Sequence, residues 1–244
     1  MVYLTGFHAI EEQIRANADS CVLLVAKAGP RAREIVSVAA EYGVRVLRAG
    51  TSDLDRISPD HRGIALQLEN DGQSPEFTFD YFLESLDDKK DVLAVILDEI
   101  TDPHNFGAIL RSCDQFNIDI VITRERRNAK NAGIIAKTSA GASAWVPSVC
   151  VANLPRAVEQ LKEASFWIYG ADMKGEPVYR TALRGRVCVI FGGEGAGLSR
   201  LLREKCDSLI SIPSLGRIDS LNVSVAAGVI LYEVIRQREK NTII

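Results

Sequence analysis

Three short stretches of the chain hold side chains able to do chemistry. In "DPHNFGAILRSCD" Asn105 and Arg111 stand six residues apart with Gly107 between them. In "FGGEGAGLS" Gly192, Gly193, Gly195 and Gly197 surround Glu194. In "IPSLGRIDSLNVSVA" Ser220, Asn222 and Ser224 follow Ile212, with Leu221 among them. Amides, a guanidinium, a carboxylate and hydroxyls can hydrogen-bond a ligand, and two of them carry charge to it. Each residue also has a structural use. Asn105 could be a helix N-cap, and Gly107 permits close approach of another chain. A glycine cluster makes a tight strand-to-helix turn, and Ser224 could bond a preceding carbonyl. Capping needs only Ser220 or Asn222, so the surplus points to a polar site at the first turn of a helix.

The glycine stretch excludes two common ligands. No register supplies the G-x-G-x-x-G of a dinucleotide site, which removes a nucleotide-dependent oxidoreductase from the leading readings. Gly192 and Gly197 have the spacing of a phosphate-binding loop and Ser199 is in place, but Leu198 stands where the lysine belongs. Glu194 would also repel phosphate. The ligand suited to this loop is not a polyphosphate.

Alternating strands and helices position these stretches. From Val92, "VLAVILDEI" is a continuous apolar run, as in a strand buried on both faces of a parallel sheet. The helix "FGAILRSCDQF" and the strand "IDIVIT" follow, then an irregular middle and the helix "LPRAVEQLKEAS". The strands "FWIYGAD" and "RVCVIFGGE", the helix "LSRLLREKC", the strand "SLISIP" and a terminal helix complete the order. In that last helix Val223, Ala226, Ala227, Ile230, Leu231, Val234 and Ile235 recur at helical spacing. All three chemical stretches follow strands, where open parallel sheets bind ligands. The first seventy residues read as a smaller α/β unit, and "NDGQSPEFTFDYFLESLDDKKD" reads as a linker ending in a short helix. The expected division is therefore 1–70, a linker at 71–91, and 92–244.

Bulk properties narrow the class. A net charge of −3 argues against whole-surface binding of nucleic acid, DNA included, but leaves room for local basic clusters. Five dispersed cysteines, with no C-x-x-C pair, suit a reducing cytoplasm and speak against a disulfide framework or a metal site. No apolar run is long enough to span a membrane, and the start lacks the pattern of a signal peptide.

In this order and at these distances, Asn105-x-Gly107-x-x-x-Arg111, "FGGEGAGLS" and "IPSLGRIDSLNVSVA" resemble the three motifs of the SpoU (TrmH-type) family of RNA ribose 2′-O-methyltransferases. The resemblance runs over residues 92–238, and its third motif is the most specific. The N-terminal unit is similar to the L30e-like RNA-binding domain of longer family members, on "GFHAIEEQI" and "HRGIALQL". The resemblance implies an α/β protein whose C-terminal parallel-sheet domain carries a trefoil knot of SPOUT type. It implies S-adenosyl-L-methionine as cofactor, held by Gly192, Gly193, Gly197, Ile212 and Leu221, and a homodimer. The implied substrate is RNA, with a guanosine of 23S rRNA as the expected target.

The same resemblance gives Arg111 the central catalytic role, with Asn105, Glu194, Ser220 and Asn222 in support. A guanidinium keeps its proton in proteins. Arg111 could equally grip the neighbouring phosphate, leaving Glu194 or a substrate phosphate to take the proton from the 2′-hydroxyl. For RNA contact, "TRERRNAKNAGIIAK" offers Arg124, Arg126, Arg127, Lys130 and Lys137. In the N-terminal unit Lys27, Arg31 and Arg33 flank a strand-to-helix junction suited to phosphate. His8 receives no catalytic part. A tRNA methyltransferase and a non-catalytic ribosome-assembly factor stay open as alternatives.

Overall fold

The computed structural model describes residues 2–27, 29–58, 61–68, 77–86, 90–124, 134–144, 146–217 and 220–239. The chain divides into two compact units, residues 1–76 with 127–145 and residues 77–126 with 146–244.

The first unit runs β1 (Val2–Leu4), α1 (Phe7–Ala16), β2 (Cys21–Val25), α2 (Pro30–Glu41), β3 (Arg45–Arg48), α3 (Thr51–Ile57) and β4 (Ile64–Leu68). Its four strands lie in the order β1-β4-β2-β3. β4 is antiparallel to both β1 and β2, and β2 is parallel to β3. The core joins Leu4, Ile10 and Ile14 to Ile35, Ile64 and Leu66, with Ala136 buried among them. Residues 134–144, placed by the sequence within the C-terminal domain, thus pack in the first unit. Gly141 lies so close to α1 that a Cβ there would stand 2.8 Å from Glu12.

The second unit runs α4 (Phe79–Glu84), β5 (Val92–Asp98), α5 (Pro103–Gln115), β6 (Ile120–Arg124), β7 (Ser148–Val151), α6 (Leu154–Glu163), β8 (Trp167–Pro177), β9 (Arg186–Gly192), α7 (Arg200–Lys205), β10 (Ser208–Ser211) and α8 (Val223–Glu239). Its strands are ordered β10-β8-β9-β5-β6-β7, and every pairing is parallel. All seven residues of β5 are buried, which explains its unbroken apolar run. Ala94, Ile96, Cys188 and Ile190 pack with Leu161, Leu198 and Leu202 in one core. α8 buries Ala227, Ile230, Leu231 and Val234 and leaves Val225, Val229 and Tyr232 exposed.

The foot of α8 is pinned by polar contacts. Gln237 accepts from the Leu183 N–H and donates to the Thr181 carbonyl. Arg238 donates to the carbonyls of Val92 and Gly185. These bonds fix the last helix against the start of β5 and β9, so its N-terminus is held toward the opposite end of those strands.

Candidate active site

The sheet sets the level of the site. Asp98 and Gly192 are register partners at the ends of β5 and β9, so the loops that follow leave the sheet side by side. Asp102, not Asn105, is the N-cap of α5. Its carboxylate accepts from the backbone N–H of His104 at 3.1 Å and of Asn105 at 3.4 Å. Pro103, pre-set for the first helical turn, moves the start upstream of where the sequence suggested. The Asn105 side chain is thereby released from capping and turns inward.

Three side chains, from the first turn of α5, the glycine loop and the cap of α8, then close on one another. Asn105 Nδ2 donates to Glu194 Oε1 at 2.6 Å. Asn222 Nδ2 donates to Asn105 Oδ1 at 2.9 Å and to Glu194 Oε1 at 3.1 Å. Asn222 Oδ1 accepts from the Ser224 N–H and hydroxyl, at 2.9 and 2.6 Å. Asn222 therefore caps α8, and Ser224 bonds this cap rather than a preceding carbonyl. Both amide groups are oriented by the network, because each nitrogen must face an oxygen. Glu194 Oε1 is filled by two donors. Among the described residues Oε2 has no hydrogen-bond partner, so it is left to accept a bond or a proton from a hydroxyl.

The glycine loop is shaped by contacts within the fold. A Cβ on Gly192 would lie 2.1 Å from the Gly197 carbonyl carbon. Gly197 has φ +66, a left-handed conformation that glycine takes without strain, and its N–H donates to Gly193 at 2.9 Å. Leu198, in the place of a phosphate-loop lysine, is a buried core residue. The next N–H, of Ser199, donates to the buried Asp98 carboxylate at 2.8 Å.

Beside this network lies a cavity of about 850 Å³. Phe191, Ile210 and Ile230 give it an apolar floor, and the glycine loop and residues 211–217 and 220–223 form its walls. Gly192, Gly193, Gly197, Ile212 and Leu221 all line it, together with Glu194, Ser220 and Asn222. Asp172 and Met173, which the sequence did not single out, line it as well. Asp172 is held by Arg203 and by the Lys174 N–H. The donor set suits S-adenosylmethionine. It offers an apolar slot for a flat base, backbone polar groups, two carboxylates for a ligand bearing an ammonium and a sulfonium, and Arg217 for its carboxylate. Among the described residues no cluster of His, Cys, Asp or Glu could hold a metal.

Arg111 stands apart from this network. It is exposed on α5, and among the described residues it makes no ion pair or hydrogen bond. Six residues of helix place it about 9 Å along the axis from Asn105 and about 120° around it. Of the residues suggested for RNA contact, Lys27, Arg33 and Arg124 are exposed. Arg31 is paired with Glu11 and Glu34, and its hydrogen bond to Glu34 and the charge of Glu11 raise its pKa further. Arg126, Arg127 and Lys130 lie outside the described residues.

Residues 92–232 match the SpoU rRNA Methylase family, and residues 3–72 match the RNA 2′-O ribose methyltransferase substrate-binding domain. A protein of Neisseria meningitidis serogroup B named 23S rRNA (guanosine-2′-O-)-methyltransferase RlmB is 38% identical over 239 residues, spanning 96% of this chain and 94% of that one. An uncharacterized tRNA/rRNA methyltransferase of Borreliella burgdorferi is 40% identical over 218 residues, 86% of this chain and 96% of that one. Among solved structures, the SpoU methyltransferase AviRb from Streptomyces viridochromogenes in complex with AdoMet superposes with a TM-score of 0.76 at 25% identity, covering 97% of this chain and 90% of that one. With both regions matched and relatives similar along nearly their whole length, the chain belongs to the SpoU rRNA methylase family.

Proposed function

We propose that this protein transfers a methyl group from S-adenosyl-L-methionine to the ribose 2′-hydroxyl of a guanosine in 23S rRNA, as a cytoplasmic homodimer. The observation that carries the reading is the bonded set Asn105–Glu194–Asn222 at the edge of a cavity whose donors suit that cofactor. When bound, the cofactor supplies an electrophilic methyl group. Gly192, Gly193, Gly197, Ile212, Leu221 and Asp172 would hold it.

The chain's own residues then position the hydroxyl and move its proton. Glu194 Oε2 is the proton acceptor, fixed by the two amides on Oε1. Ser220 and Asn222 orient the ribose. Arg111 grips a phosphate next to the target nucleotide. Holding hydroxyl and methyl donor in line can remove up to about 7–11 kcal/mol of the barrier, and a positioned base adds about 10²–10⁴-fold. The exposed stripe Val225, Val229 and Tyr232 on α8 supports a homodimer in which a second copy covers it. The trefoil knot of the family is proposed along with this site, where the loops after β9 and β10 line one cavity. The substrate-binding match and the 23S rRNA relatives favour rRNA over tRNA.

The test is methyl transfer from labelled S-adenosylmethionine to separate 23S rRNA and tRNA pools, with nucleoside analysis of the product. The expected product is 2′-O-methylguanosine in 23S rRNA. Label in tRNA alone would overturn the target. No transfer to either pool or to ribosomal precursor particles would overturn the activity in favour of a non-catalytic assembly factor.

A further inference from the structure

The first unit has a cavity of its own, of about 320 Å³, which the cofactor and the catalytic network do not use. Phe7 and His8 lie on one side of it, and Arg31, Arg62 and Lys137 stand around it. Among the described residues no carboxylate lines it, and Arg31 is held by Glu11 and Glu34. The first turn of α1 opens on it, and the cap residue Gly6 offers no side chain to the N–H groups there.

Arg62 is the unusual member. Its φ is +52, a backbone conformation that a long L side chain rarely takes. Neighbouring contacts enforce it. His61 is buried; its Nδ1 accepts from the Gly63 N–H at 2.8 Å, and Nε2 faces the Asp55 carboxylate at 3.2 Å. The Gly63 carbonyl accepts from the N–H groups of Ala26 and Lys27, at 2.9 and 3.2 Å. Gly63 is packed so tightly that a Cβ would stand 2.1 Å from the Lys27 oxygen. The turn is thus clamped on both sides of Arg62. Such a turn favours glycine at this position, so what arginine adds is its side chain. That side chain lies over Phe7, with the guanidinium carbon 6.0 Å from the ring centroid. Strain held by surrounding structure is a feature of ligand-binding positions.

We infer that this cavity holds one unpaired nucleotide of the RNA substrate, its base against Phe7 and Arg62 and its phosphodiester against Lys137 and the first turn of α1. Sequence-specific RNA recognition targets unstacked bases laid on aromatic rings and guanidinium planes. A planar base and an adjacent anion are what an aromatic–arginine pair within a cationic rim can take together. The inference rests on the proposal that the substrate is RNA.

Two variants of the full chain test it, Arg62→Gly and Phe7→Leu. Glycine takes the positive φ without strain, so Arg62→Gly keeps the turn, and Phe7→Leu keeps an apolar side chain against the core while removing the aromatic face. The probe is a labelled 23S rRNA transcript, titrated at several salt concentrations, with S-adenosylmethionine affinity as the control for folding. Each variant is expected to bind RNA about tenfold more weakly, with cofactor affinity unchanged. RNA binding as tight as wild type in both variants overturns the subsite and leaves the methyltransferase reading standing. Weakened RNA binding with a parallel loss of cofactor affinity also overturns it, because that reports a damaged fold. If the wild-type protein neither binds nor methylates rRNA, the functional reading fails and the subsite fails with it.

Discussion

At the scale of single residues, Glu194 joins structure to chemistry through different oxygens. Oε1 ties α5 and the loop after β9 to the start of α8, and Oε2, without a hydrogen-bond partner among the described residues, is the oxygen proposed to take the proton. Glu194→Gln separates the two roles. The glutamine carbonyl still accepts from Asn105 and Asn222, but an NH₂ replaces the oxygen that takes the proton. Turnover in single-turnover methyl transfer is expected to fall about 10²-fold or more, with cofactor affinity and thermal midpoint close to wild type. Unchanged turnover would assign the proton to a substrate phosphate. Arg111→Lys probes the other role. A planar fork becomes a point charge, so most activity is lost while cofactor binding stays; near-normal turnover would remove Arg111 from the phosphate. In the sequence Asn222 was legible as part of a polar surplus at a helix start, Asn105 as a possible cap and Glu194 as a charge that repels phosphate, and the family resemblance joined the three. The sequence could not show that they touch, because bonds between residues 89 and 117 positions apart depend on the pairing of β5 with β9. Asp102 and Asp172 were invisible for a related reason. One looks like any turn aspartate, and the other lies in a strand that runs on past its apolar half.

Among the elements, the long buried strands and the short edge strand β10 were legible, and β1 and β7 were not. β5, β6 and β9 are apolar runs because both faces are covered. β1 and β7, of three and four residues, carry too little periodicity to stand out, and both lie at the edges of their sheets. β8 continues to Pro177 through polar residues because β10 pairs with it after a register shift at Leu209 and Ile210. There Gly175 sits against the β10 backbone, where a Cβ would be 2.5 Å from the Ile210 nitrogen. The glycine loop separates steric from conformational demand in the same way. Gly192→Ala pushes a Cβ into the Gly197 backbone and must open the loop. It is expected to abolish measurable cofactor binding and to lower stability by roughly 1–3 kcal/mol. At Gly195 there is open space, with φ +79. Gly195→Ala therefore costs only the left-handed strain, roughly 1–2 kcal/mol, and leaves cofactor binding within reach of titration. Equal cofactor affinity in the two variants would show that Gly192 is not placed as described.

For the whole molecule, the alternation of strands and helices made a parallel sheet legible, but the order β10-β8-β9-β5-β6-β7 depends on crossovers that local pattern does not encode. A core this closed also sets how the protein meets alkali. Burial pushes the Cys113 thiol up to about 12 and that of Cys206 to about 11, and it raises Cys188 as well. Below the ordinary thiol value of 9.0, folded and unfolded chains both keep these protons, and the thiols add no pH dependence. Above it the unfolded chain ionises while the buried thiols do not, so the unfolded state gains. For Cys113 the loss is about 1.4 kcal/mol per pH unit, continuing until the folded value is reached. Other groups titrate in the same range, so the informative quantity is a difference between proteins. Cys113→Ala removes a buried sulfur and should cost roughly 1–2 kcal/mol at pH 8 through the space it leaves. Between pH 9 and pH 10 its urea-unfolding free energy should then fall less steeply than that of the wild type. Parallel slopes in the two proteins would mean that the Cys113 thiol ionises as readily in the folded state as in the unfolded one, and that α5 does not shield it from water.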